Sequence, residues 1–180
     1  MTTAEDRDAA RWYDLQKQAV KLMITGKTHE AIMLIDAFVS GSLVPSIRAA
    51  ALGFRADLKA EAGELPGALT DYEAAVSMTP APGYARYSLE VAIGGVHRRL
   101  GESPRSLGWY RRALETAVHE TDRTGATALL GIAALDEDLE AADQTLCERV
   151  ARKAWAGAGL AGEPDLTSLA DVANAIINAK

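Results

Sequence analysis

A single cysteine, two phenylalanines and an aromatic content of 6% leave this 180-residue chain short of what several protein classes need. One thiol, Cys147, closes no internal disulfide, which suits a reducing compartment and makes the cytoplasm the expected location. With few rings and alanine recurring throughout, close-packed helices are favoured over a sheet built from Val, Ile and Tyr. No stretch reaches the roughly 18 consecutive apolar residues of a membrane span. The opening MTTAEDRDAA has neither the positive start nor the apolar run of a secretory signal. Positive charge is not in excess either. The formal net charge is −6, and a mostly acidic surface repels phosphate backbones, so nucleic acid is not an expected partner.

Catalytic patterns are as scarce. His29, His97 and His119 lack the i, i+4 pairing around an acid that marks a zinc helix, and no second cysteine assists Cys147. No serine sits in a G-x-S-x-G elbow, and the GKT at Gly26 lacks the upstream glycine and strand of a phosphate loop. The expectation is a protein without catalytic residues, metal or cofactor. Cys147, in ADQTLCERVA, falls on the apolar side of a helical pattern and reads as a small buried hydrophobe.

What the chain does have is a 48% hydrophobic content, enough for a continuous core, and an internal repeat. AVKLMITGKTHEAIMLIDAF, RADLKAEAGELPGALTDYEAAV and GGVHRRLGESPRSLGWYRRAL align on Gly26, Gly63 and Gly101, at intervals of 37 and 38 residues. Each glycine follows one amphipathic run and precedes another, the pattern of two antiparallel helices joined by a tight turn. Pro66 and Pro104 suit the first turn of a second helix, and Thr28 is placed to cap the second helix of the first repeat. Five residues past each glycine come Ala31, Ala68 and Ser106, small enough for two backbones to approach. Four further on come Ile35, Tyr72 and Tyr110, and then Ala75 and Ala113. A degenerate fourth hairpin follows, with helices over about 123–135 and 139–155, a DED turn and Ala142, Leu146 and Val150 facing the stack. Leu166, Leu169, Val172 or Ala173, and Ile176 mark a final capping helix. Thr3 and Asp6 start the first helix, which runs to about Thr25.

These residues, with Ala19, Ala56 and Gly94 in the first helices and Pro80 closing one unit, resemble the tetratricopeptide repeat (TPR) family. The resemblance implies an all-α fold, a right-handed superhelix of helical hairpins in one domain over 1–180. Its repeats would occupy about 8–44, 45–81, 82–120 and 121–157, with a cap at about 164–179. The intervals exceed the family period of about 34 residues, which implies longer helices or connections. Arg55, Lys59, Glu90 and His97 stand where the family has apolar side chains, while Leu58, Leu89, Ile93, Val96 and Leu100 suggest a stripe displaced by one residue.

The resemblance also implies a function, an adaptor or scaffold that binds a protein or peptide on a trough lined by the first helices. Carried over, the partner-binding residues are Tyr13, Gln16 and Val20; Asp57 and Glu61, with Phe54 at the rim; and Val91, Gly95, Arg98 and Arg99. Gln16 and Val20 replace the Lys and Asn with which some members grip an acidic C-terminal tail, so that clamp is not expected. An alternative reading is a structural homo-oligomer assembling through its ends or its last helix, prompted by Leu166, Leu169 and Ile176. Two features have two readings each. Gly94 and Gly95 give either close helix approach or clearance for a ligand. The basic third repeat and acidic fourth are either solvated faces or an anion site and a head-to-tail contact.

Overall fold

The computed structural model describes residues 3–41, 44–119, 123–135 and 139–179, and the regular structure among them is entirely α-helical. Helices α1 (Ala4–Ile24), α2 (Thr28–Val39), α3 (Pro45–Glu61) and α4 (Leu65–Met78) form one compact unit, Met1–Thr79. Helices α5 (Tyr84–Arg99), α6 (Ser103–Ala117), α7 (Ala126–Ala133), α8 (Ala141–Gly157) and α9 (Leu169–Asn178) form a second, Pro80–Lys180. The pairs α1/α2, α3/α4 and α5/α6 pack against each other across three-residue connections, which makes each an antiparallel hairpin.

The three hairpins turn by one device. Gly26, Gly63 and Gly101 take φ of 75°, 83° and 73°, a region that a Cβ disfavours. The amide after each glycine reaches back to the closing turn of the first helix. Lys27 donates to the Leu22 carbonyl at 2.9 Å, Glu64 to that of Lys59 at 2.8 Å and Glu102 to that of His97 at 2.9 Å. Carbonyls that a helix end leaves unpaired are thereby satisfied. The second helices begin under Lys27, Glu64 and Glu102, none of which caps with its side chain. Thr28, expected to cap α2, is instead its first residue, because the turn bonds already place Lys27 at the cap. At the start of α1 the expected device is present. Thr3 Oγ1 accepts the Asp6 amide at 3.0 Å, and Asp6 accepts that of Thr3 at 2.9 Å.

The small positions of the repeat are where helices touch. Ala19, Ala31, Ala56, Ala68, Ala75, Ala113 and Ser106 are all fully buried. Ser106 also ties its hairpin together, donating Oγ to the Gly94 carbonyl of α5 at 2.8 Å. Between the small residues sit the fillers Ile35, Tyr72 and Tyr110, each at most 3% exposed. A buried side chain of this size contributes about 1.5–3 kcal/mol through removal from water. In the first hairpin Phe38 occupies the place of Ala75 and Ala113, stacked on Trp12 with ring centroids 5.7 Å apart.

The C-terminal part departs from the expected fourth hairpin. Helix α7 is shorter than the expected 123–135 and packs chiefly on α9 rather than on α8. Asp136, Glu137 and Asp138, expected as its turn, lie outside the described residues. On α8 Val150 and Cys147 are buried as expected, but Ala142 is exposed and Leu146 half-buried, and Asp143, Ala151 and Ala154 complete the inward face instead. The cause is Arg111 of α6, whose Nε and Nη2 both reach Asp143 at 2.5 Å and make a carboxylate an inward residue. Gly125 heads α7 without a side-chain cap, and the Tyr87 hydroxyl of α5 accepts the Ala128 amide at 3.3 Å instead. Helix α9 starts at Leu169, under a Ser168 hydroxyl that accepts the Asp171 amide at 3.2 Å, and buries Val172, Ala173 and Ile176.

Cys147 is buried, and desolvation, reinforced by neighbouring Asp143, pushes its thiol up to about 11. At neutral pH on the order of one molecule in ten thousand then carries the thiolate that reacts. The folded protein is expected to resist alkylation by iodoacetamide and to label only on unfolding. Labelling in native buffer at the rate of a free thiol would contradict this placement.

Candidate interaction surface

In each unit the first helices of successive hairpins are neighbours, α1 beside α3 and α5 beside α7. On α1, Tyr13, Gln16 and Val20 recur at helical spacing along one side. Tyr13 is 58% exposed, with Lys17 Nζ 3.9 Å above its ring, and Gln16 and Val20 are half-buried. On α3, Asp57 and Glu61 are one turn apart and exposed at the surface. The Tyr72 hydroxyl donates to Asp57 Oδ1 at 2.5 Å, so this carboxyl belongs as much to the α3/α4 hairpin as to the surface. Desolvation of the carboxyl by the surrounding chain pushes Asp57 above the usual aspartate range, and the tyrosine hydrogen bond pulls it back down.

Phe54 is half-buried and edge-on to Trp12, at 5.7 Å between centroids and 75° between planes. Together with Phe38 it makes an aromatic cluster linking α1, α2 and α3, so much of its ring faces the chain itself. In the second unit, Val91 packs against the core and Gly95 is half-buried. A Cβ on Gly95 would lie an ordinary 3.8 Å from the Tyr110 hydroxyl, whereas one on Gly94 would come within 2.8 Å of the Tyr110 ring. Close approach of α6 is therefore what requires Gly94. Arg98 and Arg99 are exposed in the last turn of α5, where a cation complements the negative end of the helix.

The four polar residues at expected apolar positions all have internal partners. Arg55 Nε and Nη2 on α3 meet Asp71 of α4 at 2.7 and 2.6 Å, and Lys59 Nζ meets it at 2.8 Å. Arg55 also reaches Asp36 of α2. The hydrogen bond to Asp71 holds the Arg55 guanidinium above its ordinary value. Buried Glu90 on α5 accepts from Arg86 Nε at 2.8 Å and from the Thr116 hydroxyl of α6 at 2.9 Å. His97 Nδ1 lies 2.6 Å from Glu102 across the α5/α6 turn. That contact, with Arg105 adding to it, keeps the Glu102 carboxyl below its usual range.

Of the apolar residues that suggested self-assembly, Ile176 is fully buried, while Leu166 and Leu169 are half-buried against the core of the second unit. Among the described residues no group of His, Cys, Asp and Glu is arranged to hold a metal ion.

No family model matches the chain, and no curated protein does. Among solved structures, the crystal structure of BtubC (BKLC) from P. vanneervenii is similar, with a TM-score of 0.71 at 18% sequence identity. The match covers 96% of this chain and 74% of that one. At that identity the likeness establishes a shared all-α helical-hairpin fold.

Proposed function

We propose that the protein is a non-catalytic binding module of TPR type that holds a protein or peptide partner against the exposed sides of its first helices. The observation that carries this reading is the adjacency of α1 with α3 and of α5 with α7, each pair bordered by solvent-exposed aromatic and charged side chains. Tyr13 offers an aromatic contact of low conformational cost. Glu61, with the exposed edge of Asp57, suits a basic group, and Arg98 with Arg99 an acidic one. The cytoplasm is the proposed location. Among the described residues no helix is long and apolar enough to cross a membrane.

The test is affinity capture from the native host, followed by titration of each captured protein against wild type and two double variants. These are Tyr13→Ala with Glu61→Ala, and Arg98→Ala with Arg99→Ala. Circular dichroism would verify that both variants keep their helices. At least one partner is expected to bind a variant about tenfold more weakly, the loss of roughly 1.4 kcal/mol that removing a contact pair brings. Partners that bind both variants as tightly as wild type would overturn the reading.

A further inference from the structure

The outward side of α6 presents an arrangement that packing against α5 and α8 engages only in part. Its buried side is Ser106, Tyr110, Ala113, Leu114 and Ala117. Diametrically opposite stands Gly108, exposed in the middle of a 15-residue helix. Glycine there weakens a helix relative to alanine. Two other helical glycines of this unit have an internal reason: Cβ atoms on Gly94 and Gly131 would strike the Tyr110 ring at 2.8 and 2.3 Å. A Cβ on Gly108 would meet nothing within 4 Å, so nothing in the chain calls for its absence.

The surroundings of Gly108 are basic in an acidic protein. Arg105 precedes it by three residues and Arg111 and Arg112 follow by three and four, so all lie next to it on the helix surface. The Arg105 side chain is 70% exposed and only loosely held by Glu102, at 3.3 Å. Arg112 is 48% exposed, lies 4.3 Å above the Trp109 ring and has its Nε 3.8 Å from buried Glu90 of α5, so it is held from two sides while half of it stays open to solvent. Arg111 is engaged by Asp143 yet stays 44% exposed. A bare backbone turn flanked by two guanidiniums that keep 70% and 48% of their side chains exposed beside loose carboxylate contacts, and by an indole, is complementary to an extended carboxylate-bearing segment. Such a segment could run its main chain over Gly108 while its acids reach Arg105 and Arg112.

We propose that this side of α6 is a second docking surface, for an acidic segment of a partner protein. It is separate from the first-helix surface and does not depend on it.

The probe is a fluorescein-labelled oligoglutamate peptide, with oligolysine as control, titrated by anisotropy against the full chain at low salt. Saturable binding of oligoglutamate alone is expected. Gly108→Leu keeps every charge and favours the helix, and it should weaken binding by about tenfold. Arg105→Gln with Arg112→Gln should do likewise, each surface ion pair carrying up to about 1 kcal/mol. Binding that survives Gly108→Leu would reduce the effect to diffuse charge attraction and overturn the proposal, as would absence of saturable binding. Sedimentation showing a concentration-dependent dimer that the same variants abolish would instead assign the surface to self-association and overturn the proposal as well.

Discussion

Asp71→Ala is expected to destabilise the first unit by about 3–5 kcal/mol, the usual cost of removing one partner from a buried ion pair. The carboxylate side chain is 5% exposed and faces two cations, Arg55 at 15% and Lys59 at 17%. Deleting it leaves both charges between α3 and α4 with little water to replace it, and Asp36 alone cannot compensate from its half-exposed position on α2. The contrast with Asp36→Ala is the control: that partner is 53% exposed, and its loss should cost less than about 1 kcal/mol. Urea unfolding of both variants measures the difference. An apolar triple replacement, Asp71→Leu with Arg55→Leu and Lys59→Met, is expected to recover most of the loss, because the penalty is an unpaired charge rather than a missing contact. An Asp71→Ala loss no larger than that of Asp36→Ala would show that the network is solvated and carries no stability.

Gly131→Ala is expected to cost the second unit about 1–3 kcal/mol, even though alanine is the better helix former by about 1 kcal/mol. The added methyl would sit 2.3 Å from Cζ and 2.7 Å from the hydroxyl of Tyr110. The ring has little room to move, since Gly94 of α5 also lies against it, where a Cβ would come within 2.8 Å. Tyr110 of α6 thus meets two glycines, one on α5 and one on α7, and both close approaches depend on the missing side chains. In a Tyr110→Leu background the same substitution should become neutral or stabilising, and thermal melts of the four proteins in that cycle give the coupling directly. Additive effects would place the clash elsewhere.

The hairpins were legible in the sequence because their signals are local. A glycine that must take positive φ, a proline in a first turn, and an alanine where backbones meet each declare themselves within a few residues, as Gly63, Pro66 and Ala68 do. The Thr3 and Asp6 helix start was readable for the same reason. The inward side of α8 was legible only in part: Cys147 and Val150 read as buried, but Asp143 reads as a surface acid until Arg111, 32 residues earlier, is seen to reach it, and Ala142 and Leu146 do not face inward as their spacing suggests. Leu100, expected to continue the apolar stripe of α5, is 40% exposed because the helix ends there and the chain turns away at Gly101.

Of the surface residues that the family resemblance implied, Tyr13, Glu61 and Arg98 are exposed, while Phe54 and Asp57 are shared with internal partners, Trp12 and Tyr72. Spacing along a helix tells which side a residue is on, not how much of that side a neighbouring helix has taken. Gly108 left a trace in the sequence, a glycine among arginines inside a helical run, but its meaning depends on the empty space above it.

By itself, then, the sequence determined the class of the fold, the positions of its turns and the small residues at which helices meet, since backbone conformation and side-chain size act over a few residues. Only the tertiary structure decided that Arg55, Lys59 and Glu90 occupy apolar positions as members of charge pairs, that His97 does so in hydrogen-bond contact with Glu102, and that α7 leans on α9. Each of those outcomes depends on a partner distant along the chain, and the desolvation of a charge is settled only when that partner arrives.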